Sequence, residues 1–338
     1  MAVAQKALLD PAAASGAELD PAAVLDLRRA IYSKDGVTRA DLARLLGLGR
    51  AAGPKACAEY ADLLSEAASD LLVRQVDPPG YIAPADADWL IGQLTEGGGL
   101  SCRAEFSMLV DVLGHAVSAP PTLSEFAVRE VEKAILTGRR LATGEADHAP
   151  GIVTAGDVAA LHSLVFAPTE GSSLHVTRES AEALFDIAHA TASADNDAAF
   201  DDFFAKAVGN YLMGVAFRWT SSAAEAREHE KWADHATSFA DFFTKMVEQP
   251  LAQRFGGLSR VTKTVDQIEE DVFAGENDAD DAAIQEASAL KASEADWLIA
   301  HLTRGGALSS AEKRLLAFLA KEAASMPPQL QALIEKQG

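Results

Sequence analysis

The sequence predicts an all-α protein built from degenerate tandem repeats of about three helices, packed as a bundle or a short solenoid. Three observations lead there. Residues 87–101 (ADWLIGQLTEGGGLS) and 295–309 (ADWLIAHLTRGGALS) align without a gap and differ only at Gly92/Ala300, Gln93/His301, Glu96/Arg304 and Gly99/Ala307. A match this dense, near opposite ends of one chain, marks a duplicated supersecondary unit. Apolar residues also recur at helical spacing along most of the chain. Finally, alanine and leucine are abundant while aromatics make up only 7% of the residues, which favours helix, and no run of alternating β-branched residues suggests a strand.

In each copy of the repeated stretch, Trp89, Leu90 and Leu94 (Trp297, Leu298 and Leu302) fall on one helical face. Glycines then stop the helix, as expected of a left-handed position past its C-terminus. An apolar residue, Leu100 or Leu308, precedes Ser101 or Ser309. Ser309 with Glu312 forms an S-x-x-E capping box, and the leucine before it is placed to act as the hydrophobic staple. A second apolar helix follows through Met108, Leu109, Val112 and Leu113, or through Leu315, Leu316 and Leu319. The unit therefore reads helix, Gly turn, capped helix. Asp35-Gly36-Val37-Thr38 with Asp41, and Val176-Thr177 with Glu179, are looser versions of it. A third helix recurs after it: Tyr60, Leu63, Leu64, Ala67 and Ala68 match Phe200, Phe203, Phe204, Ala207 and Val208, and again Phe239, Phe242, Phe243, Met246 and Val247. Each set lays down one broad apolar stripe.

Taken in order, residues 1–20 read as a flexible N-terminal tail ending at Asp20-Pro21, an N-cap followed by a first-turn proline. Unit 1 covers 21–77 and stops at Asp77-Pro78-Pro79-Gly80. Unit 2 covers 82–139, with Ala119-Pro120-Pro121 before its third helix. Unit 3 covers 152–215 and opens at Val153-Thr154 with Asp157, another apolar residue, cap and acid; Asp195-Asn196-Asp197 caps its last helix. A divergent unit 4 spans 221–262. Residues 263–290 form an acidic helix and linker, with nine acids and no base between 265 and 286. A C-terminal unit, 291–338, ends in a short helix after Met326-Pro327-Pro328.

The formal net charge of −21 over 338 residues sets most of this surface against nucleic acid and anionic lipid. It suits basic protein segments or divalent cations instead. Cys57 and Cys102, the two cysteines, form no C-x-x-C pair, so neither a zinc site nor a disulfide framework is indicated. No apolar run reaches membrane length and the N-terminal stretch carries no export signal; the expected location is the cytoplasm. No phosphate-binding loop, dinucleotide fingerprint or nucleophile elbow occurs. The Asp35-Gly36 turn fails as a calcium loop, because Ile31 and Leu42 would stand at ligand positions 1 and 12. At Glu276, Asp278 and Asp280, Asp281 replaces the required glycine and Ala287 the bidentate acid. Glu182, Asp186 and His189 share one helix face, but the second acid-x-x-His helix of a di-metal bundle is missing, and these read as surface residues.

The sequence of glycine, spacer, Leu or Val, Ser or Thr, two residues, acid and apolar helix resembles the tellurite-resistance B (TerB-like) helical family. The residues that carry the resemblance are Asp35-Gly36-Val37-Thr38 with Asp41, Gly306-Ala307-Leu308-Ser309 with Glu312, and Gly98-Gly99-Leu100-Ser101 with Glu105. The resemblance implies an all-α bundle and a divalent-cation site built from turn acids. Only Asp35 and Asp41 keep both acids, and they are the candidate metal ligands. Trp89 and Trp297, at equivalent places, are the candidate protein-contact residues. The leading functional expectation is a non-enzymatic, acidic helical adaptor or regulatory scaffold, without a cofactor, that binds another protein through a basic or amphipathic segment. Its alternatives are a TerB-like divalent-cation-binding stress-response protein and a helical enzyme whose site converges from distant residues.

Overall fold

The computed structural model describes residues 19–33, 36–53, 56–77, 79–96, 98–139, 141, 149–167, 176–213, 290, 292–304, 306–323 and 325–335. The expected N-terminal tail, apart from its last two residues, unit 4 and nearly all of the acidic stretch lie outside these. Among the described residues the protein is all-α, with isolated bridges such as Leu19–Ala56 and Tyr81–Ser118 in place of strands. The helices are α1 (Pro21–Ile31), α2 (Arg39–Ala52), α3 (Ala58–Ser69), α4 (Pro84–Glu96), α5 (Arg103–His115), α6 (Pro121–Thr137), α7 (Ala155–Val165), α8 (Arg178–Ala190), α9 (Ala199–Met213), α10 (Ala292–Arg304), α11 (Ser310–Glu322) and α12 (Pro328–Glu335). A π-helical turn, Asp70–Arg74, prolongs α3. No described helix is long and apolar enough to cross a membrane.

Local chemistry sets the helix starts. Asp20 accepts a hydrogen bond from the Ala23 amide at 2.7 Å ahead of a first-turn proline. Full capping boxes open α2 (Thr38 with Asp41), α7 (Thr154 with Asp157) and α11 (Ser309 with Glu312). In each, the hydroxyl takes an orphan amide and the acid returns to the cap backbone. At α5 the register slips by one residue. Cys102 occupies the N-cap, and Glu105 reaches back four residues to the Ser101 amide and hydroxyl at 2.6 and 2.8 Å. Gly138, left-handed at φ 78°, closes α6, a conformation with little penalty for glycine.

The same order of contacts appears twice. α3 packs along α5, and α9 along α11, as the two most extensive helix pairs. α1 and α2 both lie on α3 as α7 and α8 lie on α9, while α6 meets α4 as α12 meets α10. Short backbone ties repeat as well. The Cys57 amide donates to Leu19 O at 3.0 Å as the Asp197 amide does to Val153 O at 2.9 Å; Ile82 donates to Ser118 O at 2.9 Å as Leu290 does to Ser325 O at 3.2 Å. Among the described residues the helix contacts thus fall into two comparable sets, one within α1–α6 and one within α7–α12. Contacts of α6 with α7 and α8 join the halves into one continuous apolar core.

One pair of core positions shows how the halves diverge. Tyr60 is fully buried on α3 and its hydroxyl donates to Leu45 O of α2 at 2.6 Å. A methyl group at Gly49 would strike that hydroxyl and the ring behind it. In the second half Phe200 stands at the place of Tyr60 and Ala188 at the place of Gly49. Where the hydroxyl is absent, the methyl group is present.

Candidate functional site

The two tryptophan hairpins sit at matching places and differ in what surrounds them. Trp89, on α4, is half-buried. Arg39, the first residue of α2, lays its guanidinium carbon 5.3 Å from the Trp89 ring centre and donates to Asp86 Oδ1 at 2.6 Å. Asp86 and Trp89 lie three residues apart on α4, so one carboxylate and one indole face form a seat for a cation.

Trp297, on α10, is only 9% exposed. Arg178, the first residue of α8, repeats the Arg39 arrangement with its guanidinium carbon 5.9 Å from the Trp297 ring centre. The acid now comes from α8. Glu182 accepts from Arg178 Nε at 3.0 Å and from Trp297 Nε1 at 3.4 Å. Burial would raise the Glu182 carboxyl, but these bonds and the nearby charge of Arg178 outweigh it and hold it below its ordinary value. Tyr211, Phe185 and His301 close on the indole at ring separations of 4.9, 5.5 and 4.5 Å. The equivalent positions in the first half are Leu71, Leu46 and Gln93. Aromatic enclosure seals Trp297, whereas Trp89 is half-buried and none of the three matching positions is aromatic.

Behind each tryptophan lies a buried acidic clasp. Glu105 is 1% exposed; its Oε1 accepts from Arg50 Nε at 2.6 Å, and Arg50 also donates to Gln93 O at 3.1 Å. In the second half Glu312 is equally buried, with Ser309 N and Oγ on Oε2 at 2.7 and 2.8 Å, and His189 Nε2 3.0 Å from Oε1. His189 thus belongs to an internal clasp rather than to the open surface that its sequence context suggested. Spacing was the available signal: Arg39 to Arg50 and Arg178 to His189 are the same distance along the chain.

Of the two candidate metal ligands, Asp35 lies outside the described residues. Asp41 is buried, and its Oδ2 accepts from Thr38 N at 3.1 Å and Thr38 Oγ1 at 2.6 Å. That oxygen is committed to the helix cap. Among the described residues no group of three or more His, Cys, Asp or Glu is arranged to hold a metal ion. Cys57 and Cys102 are free, partly buried thiols, and burial pushes both above the ordinary thiol value. In the cap cluster, the Asp197 carboxylate accepts from the Ala199 amide at 2.9 Å, while Asn196 ties Val153 N to the end of α8. No protein-family model, curated protein or solved structure matches this chain.

Proposed function

We propose that the protein is a non-enzymatic cytoplasmic adaptor that takes a basic or amphipathic segment of another protein against the face formed by Trp89, Arg39 and Asp86. One observation carries this reading. The tryptophan hairpin occurs twice, and the first copy leaves its indole half-exposed beside a carboxylate, in a seat that already accommodates a guanidinium. Tryptophan and arginine dominate the energetics of protein interfaces because they bury a large surface at small entropic cost. The net charge of −21 would speed the approach of a basic segment and make it sensitive to salt.

The test is affinity capture from lysate with the native chain and with Trp89→Ala and Asp86→Asn, after confirming equal helicity. The competitor is a synthetic helical peptide with leucine and lysine on opposite faces. A partner retained by the native chain, lost with Trp89→Ala and displaced by the peptide supports the adaptor. An identical set of captured proteins with and without Trp89, indifferent to the peptide, rejects it.

A further inference from the structure

We propose that His301 makes the second half an acid-sensitive latch: protonation of its ring loosens α10 from α8 and uncovers Trp297, while the first half, with Gln93 at that place, does not respond. The geometry is that of a ring built in as a neutral group. His301 is 5% exposed, stacks on Phe185 at 4.7 Å with an interplanar angle of 28°, and lies 4.5 Å from Trp297. Its Nδ1 is fully buried and has no hydrogen-bond partner among the described residues. A proton placed there adds an unsatisfied charge inside an aromatic wall. The π faces of Phe185 and Trp297 return part of that cost, but they supply no acceptor.

The neighbouring acids are already engaged. On α8, Glu182 holds Arg178 and the Trp297 indole N–H, at 3.0 and 3.4 Å. Asp186 holds Arg129 from α6 at 2.9 Å and faces Arg304 of α10 at 3.8 Å. Glu312 of α11 holds His189 at 3.0 Å. Arg304 on the same helix opposes a further charge, while Glu182 and Asp186 favour it. From α9 the facing titratable group is Tyr211, packed on the other side of Trp297. Burial, followed by Arg304, outweighs the carboxylates and lowers the His301 value from the ordinary 6.5. The sign follows from linkage. The open form binds a proton more readily than the closed form, so closure is complete above the ordinary histidine value and weakens as pH falls below it.

The test is amide hydrogen exchange on the full chain at about pH 7 and about pH 5, corrected for the intrinsic pH dependence of exchange. Peptides from α8 and α10 are expected to lose protection severalfold at the lower pH, while those from α2 and α4 keep theirs. His301→Gln, which installs the first half's residue, is expected to remove the difference. Equal changes in both halves, or an unchanged α8 and α10 response in His301→Gln, would overturn the proposal. If that variant does not fold, ring-proton NMR of His301 in the native chain decides. A midpoint below about 6.5 supports the latch, and one at or above it refutes it.

Discussion

The Gly49–Tyr60 contact can be tested by a double-mutant cycle whose outcome the second half already suggests. In Gly49→Ala the new methyl group meets the Tyr60 hydroxyl, which its bond to Leu45 O holds in place. Overpacking of this kind costs about 1–3 kcal/mol, and displacing the tyrosine forfeits a hydrogen bond worth about 1 kcal/mol. Helix propensity works the other way, since alanine gains roughly 1 kcal/mol over glycine. The net expectation is a loss of about 1–3 kcal/mol. Tyr60→Phe alone should cost no more than about 1 kcal/mol. The double variant, which installs the residue types of Ala188 and Phe200, should recover the part of the loss due to the hydroxyl and give a favourable coupling of about 1 kcal/mol. Urea unfolding at constant m-value measures all four corners of the cycle. A stabilising Gly49→Ala, or a coupling indistinguishable from zero, would refute the reasoning: the hydroxyl would not be what demands the glycine.

Three further outcomes follow from the same structure. Arg50→Ala strands the Glu105 carboxylate in the core, and urea unfolding should register a loss of about 3–5 kcal/mol; Glu105→Gln, which keeps hydrogen bonding without the charge, should cost less. His162 is packed 5.2 Å from Phe166 and 6.0 Å from Phe203, and burial, with the nearby Lys206, lowers it from 6.5 to about 4. Because the folded value is the lower one, its contribution is whole above about pH 6.5 and drains away as pH falls toward 4, by about 3 kcal/mol in all; chemical denaturation against pH should show a flatter acid limb for His162→Leu. Trp297→Ala should cost about 3–5 kcal/mol, and Trp89→Ala clearly less, since the Trp297 indole is sealed and that of Trp89 half-buried; thermal unfolding of the two variants ranks them.

Much of the fold was legible because its signals are local. Thr38, Thr154, Thr177 and Ser309 each announce a helix start within a few residues of an apolar staple, and the prolines at 21, 121 and 328 mark three more. The Glu105 register shift was harder to see, because Ser101 and Ser309 align perfectly while the acids that answer them do not. The site was less legible still. Trp297 is sealed by Phe185 and Tyr211, which reach it from other helices. No window of sequence containing Trp297 also contains Glu182. The pairing of units had the same obstacle: α3 finds α5 and α9 finds α11 across intervening elements, and periodicity reports only which face is apolar.

The two halves draw comparable contacts over different spans of chain. In the first, Arg39 meets Trp89 and Arg50 meets Glu105 across 50 and 55 positions. In the second, Arg178 meets Trp297 and His189 meets Glu312 across 119 and 123. Folding rate falls as the average separation of partners grows, because ordering must precede the contacts that reward it. Comparable contacts should therefore form at two speeds, with the Trp89 environment maturing before that of Trp297 when refolding is followed by pulsed exchange. The chain carries its own timetable, in which the completed α1–α6 offers α7 and α8 a surface to dock on before α10–α12 arrive.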